Sequence, residues 1–247
     1  MYAVMLRDLR TRFFNHALGF LVVPLFPIMH LLALLILYNV LSRDAPYGQD
    51  INLFSATGLL PTLTFIYMSR FMSVSLISNK PMLAFPVVRL LDIVIARAGL
   101  EFLGAVIAAV AILTLLFVLG ANPVPHDLLG AITAILLVAI LAIGFGIIAS
   151  ILTLAAEFFA TVWGLSMILV YLGSGALFVV AHLPQDLAYY LSFNPILQAV
   201  EWVRVSFYPG YPDQYLNKTY LAAWAFGSLF LGLLSEKMLR QRLLIGI

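Results

Sequence analysis

Apolar residues fall in six runs separated by short polar breaks: Leu18–Leu41, Leu53–Leu76, Gly99–Gly120, Leu128–Leu154, Phe159–Ala181 and Thr219–Ser235. Each is about 20 residues, the length of a helix that crosses the hydrocarbon core of a bilayer. None alternates with the period of a strand, and lipid admits only helices or closed barrels, so the runs predict six transmembrane helices. The first run is not a cleavable signal peptide: it is too long, carries Pro24 and Pro27, and no small-x-small cleavage site follows it. The expected fold is an all-α membrane protein, a single transmembrane domain over residues 1–247.

The segments between the runs have patterns of their own. On a helix, Tyr2, Met5, Leu6, Leu9 and Phe13 share one face, with Asp8, Thr11 and Asn15 opposite. Residues 1–17 therefore predict an amphipathic helix lying in the membrane interface. Between the second and third runs, Pro81 and Pro86 bracket a short segment that is too apolar for a solvated linker. From Val87 the pattern is helical and leads into the third span. Arg97 and Glu101, at i,i+4, pair on one face there, and a carboxylate so deep faces protein or water. A tight hairpin around Glu157 makes spans four and five antiparallel neighbours, and Ala142, Gly146 and Ser150 form a small-residue packing face on span four. Between spans five and six, residues 182–218 carry two apolar stretches broken by Asn194-Pro195. Proline cannot continue the first helix but suits the start of the second. Each half is too short to cross, so the pair predicts a re-entrant helical hairpin, with Glu201 and Arg204 paired at i,i+3. Residues 219–235 form the last span, and 236–247 a cytoplasmic tail.

Composition sharpens the class. Of the 247 residues, 64% are apolar and only 10% are Asp, Glu, Lys or Arg, against roughly a quarter in a soluble domain. So few charges cannot solvate a soluble surface, which excludes a soluble enzyme, a nucleic-acid-binding module and a disordered chain. Cysteine is absent, which excludes disulfides and thiolate metal sites. The net charge of +2 says little, but its distribution says more. Arg7, Arg10, Arg12, Arg70, Lys80, Arg89, Arg97, Lys237, Arg240 and Arg242 flank one side; Arg43, Arg204 and Lys218 flank the other. The positive-inside rule makes the first side cytoplasmic, with both chain termini on it.

Chemistry of the chain's own is not legible. A phosphate-cradling loop ends in Gly-Lys-Ser/Thr, whereas the three lysines here follow Asn79, Asn217 and Glu236. Gly173-Ser174-Gly175 has the wrong spacing for a serine-nucleophile elbow. His16, His30, His126 and His182 are scattered, without a His-x-x-x-His or Glu-x-x-His pair, so no metal site and no catalytic residue is expected. If the protein moves something uphill, a partner supplies the energy.

Three blocks carry a resemblance. Asp8-Leu-Arg10-Thr-Arg12-Phe-Phe-Asn-His-Ala-Leu-Gly19 opens the chain. Asn79-Lys80 is followed by Arg89-x-x-Asp92 and Ala96-Arg97-Ala-x-x-Glu101. Phe193-Asn194-Pro195-Ile-Leu-x-x-x-Glu201-x-x-Arg204 precedes Tyr208-x-x-Tyr211. In sequence and spacing these resemble the permease subunit of bacterial ABC exporters of capsular polysaccharide, in the wider type-2 export group with O-antigen and teichoic acid exporters. Phe20 followed by Leu21-Val-Val-Pro24 departs from that family's aromatic-rich start to span one.

The resemblance implies a homodimer docked to two separate cytoplasmic ATPase subunits, which bind the ATP and magnesium. It implies a lipid-linked polysaccharide substrate, a periplasmic adaptor and an outer-membrane export protein as partners, and residence in the bacterial inner membrane. Asn79, Lys80, Pro81, Phe85 and Glu157 are the expected ATPase-coupling residues. Tyr189, Tyr190, Phe193, Asn194, Pro195, Glu201, Trp202 and Arg204 are the expected periplasmic gate. A polyanionic glycan would be drawn to Arg7, Arg10, Arg12, Arg70, Arg89 and Arg97 at the cytoplasmic mouth. Tyr38, Tyr67, Tyr171 and Phe178 are candidate channel liners, because sugar rings stack on aromatic faces. The alternatives are export of O-antigen or teichoic acid and, from another class, an energy-independent channel or structural membrane subunit.

Overall fold

A computed structural model describes residues 22–85 and 87–245, with backbone only from 241 to 245. Every regular element among them is helical, as the patterning predicts. In order they are α1 (Val22–Val40), α2 (Ile51–Ser73), α3 (Ser75–Ser78), a 3₁₀ turn (Lys80–Ala84), α4 (Leu90–Val118), α5 (Leu128–Ala155) and α6 (Phe159–Leu172). A second 3₁₀ turn (Val180–His182), α7 (Gln185–Ser192), α8 (Pro195–Phe207) and α9 (Lys218–Ile245) follow. The interfacial helix expected over 1–17, with Arg7, Arg10 and Arg12, lies outside the described residues.

Four helices, α1, α2, α4 and α5, are long and apolar enough to cross a membrane. The other two expected spans differ from that pattern. The fifth is helical only to Leu172, not to Ala181: α6 has 14 residues, about 21 Å at 1.5 Å per residue, which is short of the ~30 Å hydrocarbon core. The chain then turns through Gly175, whose φ of +73° lies in the left-handed region that glycine adopts without strain. The sixth, α9, has 28 residues but is less apolar than the first four. As the helical pattern from Val87 predicts, α4 begins ahead of the apolar run that starts at Gly99: the Asp92 carboxylate at N3 accepts the Arg89 N–H at 3.1 Å and caps the first turn.

The bundle is built around α2 and α5. Their most apolar stretches are 72% and 61% buried, against 28% for those of α1 and α4. Helix α2 is rich in hydroxyls, yet Ser55, Thr57, Thr62, Thr64 and Ser73 each donate to a carbonyl three or four residues back. The helix satisfies its own polar groups and can be buried whole. On α5 two glycines serve two neighbours. A Cβ on Gly144 would sit 2.4 Å from the Leu229 nitrogen of α9, and one on Gly146 would sit 2.7 Å from Met72 Sδ of α2. Of the small-residue face predicted on span four, Gly146 makes room for the Met72 side chain, while the close backbone approach to α9 is at Gly144, two residues away and off that face. The central cluster includes Phe65 and Met68 of α2, Val138 and Leu141 of α5, Ile196 and Val203 of α8, and Leu221 and Ala225 of α9.

The bundle has two distinct ends. At one, the α1–α2 and α4–α5 loops meet residues 173–217: the Asp127 N–H donates to the Ser206 carbonyl at 3.0 Å, and the Tyr47 ring lies 4.9 Å from that of Tyr211. This is the Asp50 end. At the other, α3, the first 3₁₀ turn and the α5–α6 connection form the Lys80 end.

Candidate functional site: a buried clamp and an aromatic face

Helix α8 begins as its sequence dictates. Pro195 occupies the first turn, and the Asn194 Oδ1 accepts the Ile196 N–H at 3.0 Å. The other side of the Asn194 amide donates to the Gly173 carbonyl at 2.9 Å, so the break between α7 and α8 is tied to the end of α6. One turn further, Gln198 Nε2 donates to the carbonyls of Ser192 (2.6 Å) and Tyr215 (3.0 Å), while its Oε1 accepts the Asn217 N–H at 2.6 Å. One buried amide thereby fastens both flanks of α8. The sequence signal was a single polar residue among apolar ones, and the sequence reading passed it over.

Arg204 is the centre of the arrangement. Its side chain and that of Glu201 are both 0% exposed and lie 3.8 Å apart, the predicted pair. The larger part of its binding is to backbone. Nη1 donates to the carbonyls of Gly175 (2.8 Å) and Phe178 (2.7 Å), and Nη2 to that of Ala176 (2.8 Å). These carbonyls belong to the irregular stretch that follows α6. Irregular backbone in an apolar setting survives only where its polar groups find protein partners, and one guanidinium fork supplies three. The plane also stacks 3.9 Å over the Phe54 ring of α2. Tyr211 donates its hydroxyl proton to Glu201 Oε1 at 2.8 Å. Burial pushes the Glu201 carboxyl above its ordinary range, and Arg204 and the Tyr211 hydrogen bond act in the opposite direction. The clamp ties α2, the α6–α7 connection, α8 and the α8–α9 loop together.

The remaining expected gate residues divide. Trp202 is buried, with the Lys218 ammonium 4.9 Å from its ring. Tyr189, Tyr190 and Phe193 are exposed and pack edge to face on one another. The Phe193 carbonyl accepts the Tyr220 hydroxyl at 2.7 Å.

A second feature runs along α1, α2 and α6. The half-buried Tyr67 stacks with Phe71 at 6.0 Å, and its hydroxyl meets His30 Nδ1 at 3.2 Å. His30 lies 5.6 Å from the Tyr171 ring, and Phe26 lies 5.7 Å from Phe71. Two of the four expected channel aromatics, Tyr67 and Tyr171, therefore share one face, through His30. The sequence reading did not assign Phe26, His30 or Phe71 to it: the i,i+4 spacing of Phe26 and His30 on α1 and of Tyr67 and Phe71 on α2 was an available signal, but only packing brings α1, α2 and α6 together. Tyr38 is buried, with Arg43 5.2 Å from its ring. Phe178 instead lends its carbonyl to Arg204.

At the Lys80 end, Asn79 is buried and donates to the Ser75 carbonyl at 3.0 Å, while Leu83 packs against the core. Thus anchored, the segment turns Lys80, Pro81 and Phe85 outward, and Glu157 is exposed on the neighbouring hairpin. Arg70 and Arg89 are exposed. Arg97 is not: it is buried against Glu101, its pair, and lies 5.1 Å over the Phe71 ring. Among the described residues no group of three His, Cys, Asp or Glu is placed to hold a metal.

Helices long and apolar enough for a bilayer define a helical membrane protein. The family follows from comparison: residues 1–208 match the model of the ABC-2 type transporter family, and the chain belongs to that family. It is 30% identical over 234 residues to the polysialic acid transport protein KpsM of Escherichia coli, covering 94% of this chain and 90% of that protein. The capsule polysaccharide export inner-membrane protein CtrC of Neisseria meningitidis is 29% identical over 231 residues, 94% and 87% of the two chains. The capsule polysaccharide export inner-membrane protein BexB of Haemophilus influenzae is 25% identical over 236 residues, 95% and 89%. The resemblance read from the three sequence blocks is borne out at the level of the family.

Proposed function

We propose that this chain is the permease subunit of an ATP-driven exporter that moves a lipid-linked capsular polysaccharide across the bacterial inner membrane. The observation that carries this is similarity over more than nine-tenths of the chain to relatives named for capsule or polysialic acid export. The permease has six spans, α6 and the irregular stretch after it completing the fifth and α9 forming the sixth. Two copies pair, and each docks on a cytoplasmic ATPase subunit that holds the ATP and magnesium. A periplasmic adaptor and an outer-membrane export protein continue the path.

Basic residues support the orientation. Arg70, Lys80, Arg89, Lys237 and Arg240 lie toward the Lys80 end, which is thereby cytoplasmic, with both termini. The Lys80–Phe85 segment and Glu157 are the coupling surface. The aromatic face of Phe26, His30, Tyr67, Phe71 and Tyr171 lines the glycan path, and exposed Arg70 and Arg89 attract a polyanion at its mouth. Residues 185–207 close the path on the periplasmic side.

The decisive experiment deletes the gene and scores surface polysaccharide, then restores it with variants. Loss of capsule with intracellular accumulation of the lipid-linked polymer is expected, as is co-purification of an ATPase that weakens in Lys80→Glu/Phe85→Ala. Loss of O-antigen or teichoic acid instead would change the substrate. Normal surface polymer with no associated ATPase would replace the exporter with a channel or structural subunit.

A further inference from the structure

A slot of about 300 Å³ opens on the flank of the bundle between α4 and α5. Ala105 and Ala109 of α4 and Ala131 of α5 keep the two helices' facing side chains short, which is why the slot exists. Thr57, Leu60 and Thr64 of α2 form its floor, and Val203 and Phe207 of α8 line one side. Its rim is Val110 (59% exposed), Ile132 (48%) and Leu136 (46%), all apolar.

Three properties decide what belongs there. First, the slot offers no hydrogen-bond donor. Both threonine hydroxyls donate to their own helix, Thr57 to the Phe54 carbonyl at 2.8 Å and Thr64 to the Leu60 carbonyl at 2.7 Å. Water needs two to four polar partners, and here it reaches at most one hydroxyl oxygen, since the two lie about 10 Å apart along α2. Second, it is too narrow for a helix, which with its side chains is about 10–12 Å across. Third, its length is that of one leaflet. On α4 it runs from Phe102 to Leu113, about 16 Å at 1.5 Å per residue, and half of a ~30 Å hydrocarbon core is ~15 Å. Its upper end closes at Pro125 and Leu128, beside His126 and Asp127, where the polar boundary begins.

We propose that the slot seats one acyl chain of a bilayer phospholipid from the leaflet at the Asp50 end. The chain braces α8 through Val203 and Phe207, on either side of Arg204. This rests on α4 and α5 standing in a bilayer, but not on the identity of the exported polymer. A lipid that binds only the folded protein stabilises it by mass action.

The test is a lipid titration. The full chain is purified in detergent, stripped of lipid and titrated with a palmitoyl-oleoyl phosphatidylethanolamine. Native mass spectrometry counts bound lipid, and thermal unfolding reads its effect. The wild type is expected to retain lipid and melt higher with it. Ala109→Phe fills the slot from α4, and Ala131→Leu fills it from α5. Each should lose both the bound lipid and the lipid-dependent shift, whereas Ile36→Phe, at an exposed position of α1 away from the slot, should keep them. If Ala109→Phe does not fold, Ala131→Leu decides. An equal lipid response in all variants, or none in the wild type, overturns the proposal. Whether the protein needs detergent for extraction is scored separately, so failure of the bilayer placement is distinguishable from failure of the slot.

Discussion

Helices α6 and α8 are nearly equal in length, 14 and 13 residues, and differ in everything else. Helix α6 carries no charge and is apolar almost throughout, yet only Met167 is buried within the protein. Helix α8 carries Gln198, Glu201 and Arg204, and ten of its residues are buried, those three included. In water the more apolar helix would be the one inside. In a bilayer the lipid solvates apolar side chains as well as a protein core does, and polar groups are the ones driven to find protein partners. The charged helix is therefore the fixed element and the apolar one the free surface.

The sharpest way to break that comparison is at Arg204. Arg204→Ala leaves the Glu201 carboxylate buried without its cation and removes the donors of three carbonyls. Removing one partner of a buried pair costs about 3–5 kcal/mol, a large part of a domain's stability. Loss of a monodisperse, folded species in detergent is expected. Arg204→Lys keeps the charge but not the planar fork, and should fold with a lower melting temperature. A lysine variant as stable as wild type would show that the backbone contacts matter less than the charge.

The same residue shows where sequence reasoning reached and where it stopped. The Asn194-Pro195 break and the i,i+3 spacing of Glu201 and Arg204 were legible because both depend on local geometry. The three carbonyls were not, because they lie on a segment read as unbroken helix. Residues 173–181 continue the apolar run without a charge, and hydropathy measures solvent preference, not backbone shape. Gly173 and Gly175 were the available signal. Similarly, Tyr67 and Tyr171 were named from residue type alone, whereas His30, which joins them, is visible only once α1, α2 and α6 are packed. Arg97 was expected at an open mouth because topology counting treats all basic residues alike; its pairing with Glu101, also expected, is what takes it inside.

A smaller effect is expected where backbones meet. A Cβ at Gly58 would lie 2.5 Å from the Ala176 carbonyl oxygen and 2.8 Å from Arg204 Nη2. Gly58→Ala should push α2 away from the clamp, costing about 1–3 kcal/mol as overpacking does. Gly227→Ala on α9, where a Cβ meets nothing within 4 Å, is the matched control and should be neutral or slightly stabilising through helix propensity. Thermal unfolding of both variants in one detergent checks the pair. Equal melting temperatures would mean that α2 can move at no cost, and the clamp would not be the rigid side of the comparison.

The smallest effect is predicted on α6. Leu169 is 72% exposed, and Leu165 is 60% exposed. Truncating either to alanine removes side chain that touches lipid in the single chain, so the stability should change by no more than a surface substitution changes it, about 0.5 kcal/mol or less. The function proposed above gives the face a further use, because two copies must pair somewhere and α6 buries little in one. Leu165→Ala/Leu169→Ala should therefore leave the melting temperature near wild type while shifting the population from dimer to monomer in crosslinking or mass photometry. A drop in stability of the isolated chain would show that α6 is held by its own protomer. The contrast with α8 would then be one of degree, set by how much each helix packs, not by which solvent each side faces.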